Sequence, residues 1–549
     1  MPSSVGIKTQ TSHSAILQWD EVKDADTYDW KLEENSQVFK QGSTNSTYVI
    51  IDGLSEGHLF QFYVRAVNSA GASAYSEPLI LDFGGSADPD TPSVPGALCT
   101  DAPLLLSLDS TPVLGSKGSI KVFDSSDNQV DEIKLEDISG VSIREDGQMI
   151  PKDTVDKATI FNTTLDAIKC GSRWRIVHYT PLRIREKALE IKLHSGVLDF
   201  GKEYYVTVDA GVVQGHEGIA KGAWTFTTKA KPGSTSVLAV NQDGSADFCT
   251  VQGAISYSTS LGKDNSVQIN IASGTYNEML YIRDKNKLTL KGDSRQDVLI
   301  SYANNESYES GTGAGTSSKP SLGSAIGTSG GRGMILADGC DNLVLENLTM
   351  HNTFGNEKGQ AEVIYFNSNY KLTIENCSLI SLQDTFECKG YVYVHNSLVA
   401  GGCDFIWGSP KACLFEDCEI RSDARGFIVQ ARVPEAADKG FVFLNCKLTA
   451  ASGVKDGTMY LARSGGSSTY FDNVTYVNCT MAPVIASAGW YTSPSPNPAS
   501  PTAVSGWKEY GSKGSDGKEL NMSLRSRSGK VLTADEAAAF SSRKAVLGY

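Results

Sequence analysis

Six short segments in the C-terminal part of the chain align on an Asn or Asp, and this repeat limits what that part can fold into. The aligned residue occupies positions 347, 376, 396, 417, 445 and 478. The intervals between these positions are 29, 20, 21, 28 and 33 residues. A repeat of about 20 residues with variable insertions is typical of a solenoid of strand-rich coils, in which each coil buries its face only against its neighbours.

The position after this Asn or Asp predicts the interior of the solenoid. It holds Leu348, Cys377, Ser397, Cys418, Cys446 and Cys479. If the coils stack, these small or apolar side chains form one column. The chain has eleven cysteines but no CxxC pair and no Cys/His cluster with zinc spacing. We therefore expect the four cysteines of the column to be core residues rather than disulfides or metal ligands.

Both ends of the predicted solenoid carry a helical signal. Residues 248–258 have apolar side chains at a helical period, which suits a cap over the first coil. These apolar residues are Phe248, Val251, Ala254 and Ile255. Near the C-terminus, Thr533 and Glu536 have the spacing of a capping box for a final helix. The Ser/Gly/Ala-rich tract 304–333, by contrast, predicts a mobile surface excursion that cannot pack as a coil.

Residues 1–88 predict a first β-sandwich, because short runs of alternating apolar and polar residues are separated by turn signals. Trp19, Leu54 and the segment FYVRAVNSAGASAYS (62–76) resemble a fibronectin type III module. A Gly/Pro/Ser/Asp-rich linker follows at 84–96.

Residues 95–229 predict a second β-sandwich, since IKVFD (120–124) and YYVTVDAGVV (204–213) again alternate with period two. The end of this region resembles the bacterial Ig-like modules of surface-layer and secreted proteins. A second linker at 229–235 is polar and contains Gly and Pro. We therefore predict that residues 237–549 fold and work alone.

Composition and charge exclude several function classes. The net charge of −14 provides no basic field that would attract nucleic acid. Fifty-three glycines and many aromatic residues favour short strands and tight turns over long helices, so we expect an all-β protein. No apolar run of about 20 residues is present, which argues against a membrane-spanning helix. The first thirty residues lack the charged start and apolar core of a signal peptide.

The segment 359–408 is the most informative about chemistry. Gln360 and Gln383 are 23 residues apart, and Asp384 and Asp404 are 20 apart, each close to one coil. Residues one coil apart lie on adjacent strands, about 4.8 Å from each other. The two carboxylates are therefore expected to face each other across one rung, with amides beside them. Because like charges this close do not ionise together easily, one pKa is expected to rise and its owner to become a proton donor.

Paired carboxylates at this spacing fit several kinds of site. They suit an esterase with an Asp nucleophile, a glycoside hydrolase, the Ca²⁺ site of a polysaccharide lyase, or merely two solvated turn residues. The glutamines favour the esterase, because an amide donates to a developing oxyanion whereas a hard cation prefers carboxylate and carbonyl oxygens. Residues 327–331 match G-x-S-x-G, but their low-complexity surroundings argue against a nucleophile elbow.

A set of longer motifs adds a family resemblance. In chain order they are DGSADFCTVQGAI (243–255), GTYNEMLYI (274–282), NLTMHNTFG (347–355), GQAE (359–362), LQDTFE (382–387), DFIWG (404–408) and LAR (461–463). Together they resemble the pectin methylesterase family, carbohydrate esterase family 8. The resemblance implies a right-handed parallel β-helix that removes methyl groups from methylated galacturonate without a metal or other cofactor.

The resemblance also implies a role for each matching residue. Asp404 matches the nucleophile that attacks the ester carbonyl, and Asp384 matches the general acid that protonates departing methanol and then activates water. Gln383 and Gln360 match the amides that stabilise the oxyanion. Arg463 matches the arginine that pairs with the nucleophile and keeps it ionised.

Substrate contacts are harder to carry over. Trp407 stands where the family has an aromatic residue near the sugar, and Tyr276 is a further candidate substrate-binding residue. The family's L-x-R-P-W motif continues here with Ser and Gly after the arginine, so Gly465 replaces the sugar-stacking Trp. We expect Trp490, together with Tyr491, to restore an aromatic wall.

The sequence thus predicts a secreted, cell-surface or periplasmic monomer with two β-sandwich domains ahead of a catalytic β-helix. Its predicted activity is hydrolysis of the methyl esters of pectin, with no cofactor, no nucleic-acid partner and no membrane span. One alternative is an esterase or thioesterase of the same fold that acts on another ester. A second alternative is a non-catalytic polysaccharide-binding protein.

Overall fold

Strands form most of the regular structure of the chain. The computed structural model describes residues 2–3, 5–10, 15–34, 37–51, 59–69, 71–76, 78–82, 96–138, 142–143, 149–150, 164–309, 311–313, 315, 330–354 and 359–549. Contacts divide the chain into one unit of residues 1–93 with 107–109 and a second unit of residues 94–106 with 110–549. The division of the larger unit into two domains stays a prediction.

The N-terminal unit contains two sheets that share one core. Its strands are β1 Gly6–Gln10, β2 Ala15–Gln18, β3 Thr27–Glu34, β4 Gln37–Thr44, β5 Tyr48–Ile51, β6 Leu59–Asn68, β7 Gly71–Ala72 and β8 Leu79–Asp82. One sheet has the order β1-β2-β5, and the other has the order β4-β3-β6-β7 with β8 also paired to β6. Leu17 of the first sheet and Phe62 of the second pack in the same buried cluster, as expected for a sandwich. Leu54 and residues 84–95 lie outside the described residues.

Residues 96–229 form several smaller sheets. Their elements are β9 Leu104–Ser107, β10 Ser119–Asp124, β11 Gln129–Lys134, α1 Leu135–Ile138, β12 Ser142–Ile143, β13 Met149–Ile150, β14 Leu165–Cys170, β15 Arg173–His178, β16 Leu182–Arg185, β17 Ala188–Ile191, β18 Glu203–Val208 and β19 Ile219–Thr227. The larger sheets have the orders β11-β10-β18-β19 and β16-β17-β9. The resemblance of this region to bacterial Ig-like modules stays a prediction.

The C-terminal region is a parallel β-helix. Its strands are β20 Val237–Val240, β21 Val267–Ile271, β22 Gly274–Asn277, β23 Leu280–Arg283, β24 Leu288–Gly292, β25 Val298–Tyr302, β26 Ile335–Asp338, β27 Leu343–Glu346, β28 Thr349–Asn352, β29 Ile364–Asn367, β30 Lys371–Glu375, β31 Ser378–Ile380, β32 Phe386–His395, β33 Leu398–Glu416, β34 Glu419–Ala431, β35 Gly440–Leu444, β36 Lys447–Ala450, β37 Met459–Arg463, β38 Val474–Val477, β39 Thr480–Met481, β40 Trp490–Tyr491, β41 Trp507–Tyr510, β42 Lys513–Gly514 and β43 Gly529–Val531. In the first coils each strand pairs in parallel with the third strand after it, as β21 does with β24. Three strands therefore make one coil, and the predicted all-β fold with a parallel β-helix is confirmed.

The aligned Asn or Asp of the repeat is the turn residue between two faces of each coil. All six adopt a left-handed backbone, with φ between 47° and 57°. Asn and Asp tolerate this conformation better than other residues with a side chain, because their short polar groups bond locally. Asn376 Nδ2 also donates to Asn347 Oδ1 of the preceding coil, at 2.8 Å. The repeated Asn or Asp in the sequence therefore marks the corner that closes each coil.

The predicted interior column is confirmed. Its six side chains are at most 2% exposed. The thiols of Cys377, Cys418, Cys446 and Cys479 donate to backbone carbonyls of the stacked coils. All eleven cysteines of the chain are free thiols, so the column is apolar core.

The helices of this region are α2 Val251–Ser260, α3 Ala534–Ala537 and α4 Arg543–Leu547, with 3₁₀ helices at Met522–Leu524 and Ala538–Phe540. Helix α2 packs on the core of the first coils, as predicted. The C-terminal helices instead pack on the outward side of β32, β33 and β35, in the middle of the stack, and do not cover its last coil. Helix α2 begins after its N-cap Thr250, so Phe248 precedes the helix rather than forming its first turn. The capping box of Thr533 and Glu536 is present at α3. No helix in the described ranges is long and apolar enough to cross a membrane.

The tract 304–333 is not wholly a surface excursion, and the prediction is wrong for its two ends. Asn304, Asn305 and Glu309 are at most 1% exposed, and Arg332 is 8% exposed. These polar groups are buried because each finds hydrogen-bond partners inside the fold. Residues 316–329, which include most of the G-x-S-x-G match, lie outside the described residues.

Candidate active site

The two aspartates lie on adjacent rungs of the β-helix. Gln383, directly before Asp384, pairs in parallel with Cys403, directly before Asp404. Both aspartates have a left-handed backbone, with φ of 63° and 45°. This bend turns each carboxylate away from the regular alternation of the strand. The predicted one-rung spacing is therefore confirmed, with Asp384 in a bend just before β32 and Asp404 at an irregularity within β33.

Asp404 is held as an anion. The Arg463 Nε donates to both of its carboxylate oxygens, at 2.8 and 2.9 Å, and Arg463 Nη2 also donates to Oδ2. Gln430 Nε2 donates to the same Oδ2 at 3.3 Å. Asp404 is 5% exposed, so these donors replace the water that would otherwise stabilise its charge. This carboxylate, paired with an arginine, lies where the sequence analysis expects the nucleophile, and that role stays a prediction.

Asp384 has surroundings of the opposite kind. It is 4% exposed, and Gln360 Nε2 donates to its Oδ2 at 3.0 Å. Burial raises the pKa of Asp384 to about 8, and the nearby carboxylate of Glu362 adds to the rise more than Asp404 does. The predicted rise in one pKa is therefore present, but burial and Glu362 contribute more than the paired aspartate. At neutral pH, Asp384 carries the proton that a general acid needs.

Arg332 joins the site from the long tract, and the sequence analysis did not identify it. Its Nη1 donates to Gln360 Oε1 at 2.9 Å, and its Nη2 lies 3.7 Å from Asp384 Oδ2. Its Nε donates to Glu362 Oε1 at 2.6 Å, and Nη1 also donates to Glu306 Oε2 at 3.0 Å. Because Arg332 binds the amide oxygen of Gln360, the amide nitrogen faces Asp384. In the sequence, the acidic Glu362 within GQAE is the signal that could have indicated a basic partner such as Arg332.

A matching arrangement supports the nucleophile. Arg432 donates to Gln430 Oε1 from Nε and Nη2, at 3.1 and 2.7 Å, which directs the Gln430 amide nitrogen to Asp404. Each aspartate thus has a glutamine whose orientation is set by an arginine. Gln430 lies 26 residues after Asp404, so coil spacing could have identified it.

Trp407 supports the two arginines rather than an open sugar site. The guanidinium carbons of Arg332 and Arg432 lie 5.4 and 4.7 Å from its ring centroid. The residue is 5% exposed. Its ring is therefore used for cation–π contacts within the protein, which argues against the predicted stacking of Trp407 on substrate.

Gln383 lies at the site, but its predicted role stays a prediction. Its backbone carbonyl accepts from Ala361 N–H at 3.2 Å, which joins the rungs of the two glutamines. Its side chain is partly exposed next to Asp384. This exposure keeps the Gln383 amide accessible to a substrate.

Tyr276 and Trp490 do not line a binding surface, and the prediction for them is corrected. Tyr276 is 1% exposed, and its hydroxyl donates to Ala272 O at 2.8 Å in the first coils. Trp490 is 3% exposed, and its ring stacks on Trp507 with centroids 5.4 Å apart. Both rings point into the core because their strand positions face inward.

Tyr491, which the sequence analysis named together with Trp490, does lie on a partly exposed aromatic surface. Tyr491 pairs in register with Arg463 on the neighbouring rung. Its ring lies 4.9 Å from Phe427 and 5.1 Å from Tyr460, and all three rings are partly exposed. The Arg463 guanidinium lies 5.3 Å from the Phe427 ring. We call Phe427, Tyr460 and Tyr491 the aromatic cluster.

A cavity of about 420 Å³ opens beside the Asp404 partners. Its lining residues are Gln430, Ala431, Arg432, Arg463, Gly465, Ser467, Tyr470 and Asp472. Tyr470 is 43% exposed. The space next to Gly465 is consistent with the missing Trp, and Tyr470 is an aromatic ring at its edge.

A possible metal group lies elsewhere. Within the described ranges, Cys99, Asp101 and Cys249 are close enough together to hold an ion. The Asp101 Oδ2 already accepts from the N–H and hydroxyl of Thr250, at 2.7 and 2.6 Å, at the start of α2. The Asp101 carboxylate is thus already bonded to Thr250, the N-cap residue of α2. Metal independence of the aspartate site stays a prediction.

The chain is similar to known proteins of one family over its C-terminal region. A family model described as Pectinesterase matches residues 237–548. The chain belongs to the pectinesterase family. It is therefore a carboxylic ester hydrolase. A fibronectin type III model matches residues 1–82, which confirms the predicted N-terminal module.

Curated relatives carry the same family name. Pectinesterase 31 of Arabidopsis thaliana is 31% identical over 262 residues, which cover 47% of this chain and 77% of that protein. Pectinesterase A of Emericella nidulans is 29% identical over 257 residues, covering 45% of this chain and 74% of that protein. A solved structure of the pectin methylesterase from Aspergillus niger is 24% identical, with a TM-score of 0.45, and covers 58% of this chain and 95% of that one.

Proposed function

We propose that this pectinesterase hydrolyses the methyl esters of galacturonate residues in pectin and releases methanol, with Asp404 as nucleophile and Asp384 as general acid and base. One observation supports this assignment above others. Two carboxylates one rung apart have opposite surroundings, because Arg463 stabilises one as an anion while burial keeps the other protonated. That difference is what a nucleophile and a proton donor require.

In the first half of the reaction, Asp404 attacks the ester carbonyl carbon. The carbonyl oxygen becomes an oxyanion, which the amide N–H groups of Gln360 and Gln383 stabilise. An amide has two N–H donors, so Gln360 can bond to Asp384 with one and to the oxyanion with the other. Asp384 then gives its proton to the methoxy oxygen, and methanol leaves an acyl anhydride on Asp404.

In the second half, Asp384 is a carboxylate and acts as the base. It removes a proton from water, and the resulting hydroxide attacks the acyl carbonyl. The C–O bond to Asp404 breaks, which releases the free galacturonate and restores the Asp404 carboxylate. Asp384 ends with its proton, so the cycle needs no outside acid. Arg463 stabilises Asp404 as leaving group.

The substrate class and location belong to the same proposal. The relatives are named pectinesterases, and the aromatic cluster beside Arg463 is a surface on which sugar rings can stack. Pectin is a wall polymer outside cells, so we propose that the protein is secreted or held at the cell surface. The monomeric state stays a prediction.

The decisive measurement is methanol release from methylated pectin by the full chain. Asp404→Asn and Asp384→Asn should each lose more than about nine-tenths of the activity, because removal of a nucleophile or acid costs orders of magnitude in rate. Asp417→Asn is the matched control, since Asp417 is an exposed Asp with the same left-handed backbone on a neighbouring coil, with φ of 53°.

Each alternative has its own outcome. Hydrolysis of small acyl esters or thioesters with no methanol from pectin would favour another substrate. Binding of pectin without turnover, unchanged in both aspartate variants, would favour the non-catalytic protein. Circular dichroism of each variant shows whether the fold survives.

A further inference from the structure

The hairpin of β14 and β15 packs against the β-helix next to the active site. Ile168, Cys170 and Val177 of this hairpin belong to the same buried cluster as the first coils. Tyr302 donates its hydroxyl to His178 O at 2.9 Å, and the buried Glu309 accepts from His178 Nδ1 at 2.8 Å. The hairpin is thus hydrogen-bonded to Tyr302 of β25 and to Glu309, near the start of the 304–333 tract.

Arg175 is the central residue of this contact. It is 0% exposed, and burial lowers its pKa to about 10. Its guanidinium donates to five backbone carbonyls, all in the β-helix region. They are those of Gly330 (2.7 Å), Leu280 (2.7 Å), Met334 (3.3 Å), Gly331 (3.2 Å) and Gly333. A buried guanidinium that donates to several carbonyls fixes a stretch of backbone whose carbonyls are not paired in a β-ladder.

Four of those carbonyls surround Arg332 in the chain. A Cβ on Gly330 would lie 2.8 Å from Val177 Cγ1, so the hairpin approaches this backbone too closely for a side chain there. Arg332 in turn bonds to Gln360 and Glu362 and faces Asp384. A continuous set of contacts therefore leads from Arg175 to the proton donor and the oxyanion amide.

We propose that Arg175 is a positioning residue of the esterase site, which holds Arg332 in the place where it orients Gln360 and Asp384. This proposal rests on the proposed function. It makes the hairpin of residues 165–178 part of the catalytic unit. Without Arg175, the 330–334 backbone loses four hydrogen bonds, and the Gln360 amide is no longer held with its nitrogen toward Asp384.

The test uses the full chain with Arg175→Met. We expect kcat for methanol release to fall by about tenfold or more, because small misplacements of catalytic groups cost up to about a hundredfold. Arg173→Met is the matched control. Arg173 lies on the same hairpin and donates to Gly315 O at 3.2 Å, so the control removes an arginine without touching residues 330–334. We expect the control to keep at least half of the wild-type kcat.

A double variant separates positioning from general loss of stability. Arg332→Gln alone should lower kcat by a similar factor. In the Arg332→Gln background, adding Arg175→Met should change kcat by less than about twofold, because residues that act through one another are not additive. Independent, multiplied losses would overturn the proposal. If Arg175→Met does not fold, Arg175→Lys keeps the charge with fewer donors, and the same non-additivity is required of it.

Hydrogen–deuterium exchange tests the contact without any substrate. Arg175→Met should speed exchange of the amides of Arg332 and Met334, which bond to Gly311 O and Glu362 O, while Arg173→Met should not. Unchanged exchange and unchanged kcat would each overturn the proposal. If the wild-type protein releases no methanol, the proposed function fails, and the exchange result still decides whether Arg175 holds the Arg332 backbone.

Discussion

Asp384 and Asp404 show how the same side chain can have different surroundings on adjacent rungs. Both have a left-handed backbone, and both are almost completely buried. Arg463 bonds to both oxygens of Asp404, whereas Asp384 receives one amide N–H and faces the acidic Glu362. Neighbours outside the repeat therefore decide which carboxyl keeps its proton.

Activity should depend on pH through Asp384. Because the pKa of Asp384 is raised to about 8, the acid form that protonates methanol is lost above that pH. We therefore expect kcat/KM to fall as the pH rises through about 8. Glu362→Gln removes a negative charge near Asp384. The loss of this repulsion stabilises the Asp384 carboxylate and lowers the pKa of Asp384. The pH at which kcat/KM falls should therefore be lower in this variant than in the wild type.

The pH measurement has a direct control. Glu375→Gln changes a partly exposed carboxylate on β30, bonded to His395, and should leave the profile of kcat/KM in place. A falling limb that stays or moves upward in Glu362→Gln would contradict the assignment of the proton donor. Arg332 and Asp404 remain in all variants, so the change isolates Glu362.

Tyr491 should contribute to polymer binding. Tyr491→Ala removes a ring beside Arg463, and a stacking contact of roughly 1–2 kcal/mol is worth about tenfold in affinity. We expect KM for methylated pectin to rise by about tenfold with little change in kcat. Tyr370→Ala, at a ring that is 57% exposed, should change neither parameter. An unchanged KM in Tyr491→Ala would exclude the aromatic cluster as the sugar surface.

The coil is the structural element that determines where the chemistry lies. Its strands stack in register, so a residue on one coil lies next to its counterpart a coil later, as Arg463 lies next to Tyr491. Each corner needs a residue with positive φ. The position of this Asn or Asp determines which side chains of the flanking strands face the interior. Asp384 and Asp404, the proposed catalytic pair, have the same left-handed backbone conformation.

The corner conformation predicts a stability difference at Asn445, which is exposed and has φ of 55°. Asn445→Ala should destabilise the protein by about 1 kcal/mol, because Ala has the same strained Cβ as Asn in the left-handed backbone but lacks the short polar group whose local bonds offset that strain. Asn445→Gly relieves that strain and should change stability less. Thermal unfolding should give a lower midpoint for the Ala variant than for the Gly variant. The reverse order would show that strain from a Cβ does not govern stability at this corner and would contradict the prediction.

For the molecule as a whole, the main question is which parts are required for catalysis. The larger unit contains the aspartates, their arginines and the hairpin that bonds to residues 330–334. The polar linker at 229–235 predicts that residues 237–549 work alone. The apolar hairpin residues within the core of the β-helix argue for the opposite.

Two truncations test this division. Deletion of residues 1–93 should leave kcat and KM for pectin within about twofold, since all active-site contacts described above lie in residues 94–549. Deletion of residues 1–236 should lower both kcat and the unfolding midpoint, because it removes Arg175 and exposes apolar side chains of the first coils. A fully active and stable 237–549 fragment would instead confirm the prediction, made from the linker, that these residues fold and work alone.

Periodicity alone was enough to predict the coil, its cysteine column and the pairing of Asp384 with Asp404. These features depend on residues one coil apart, and a spacing of about 20 residues is visible in the sequence. The same spacing identified Gln360, and the family motifs then added Arg463; the structure places these residues on Asp384 and Asp404.

The tertiary structure decided what depends on burial and on distant contacts. Tyr276 and Trp490 face the core, although the motifs suggested a surface role. Arg332 and Arg175 reach the site from a low-complexity tract and from a separate region, so no spacing connects them with Asp384. The raised pKa of Asp384 likewise arises first from desolvation, which only the complete packing of the chain creates. Local repeats encode the scaffold, whereas charge and accessibility arise when remote segments exclude water from one another.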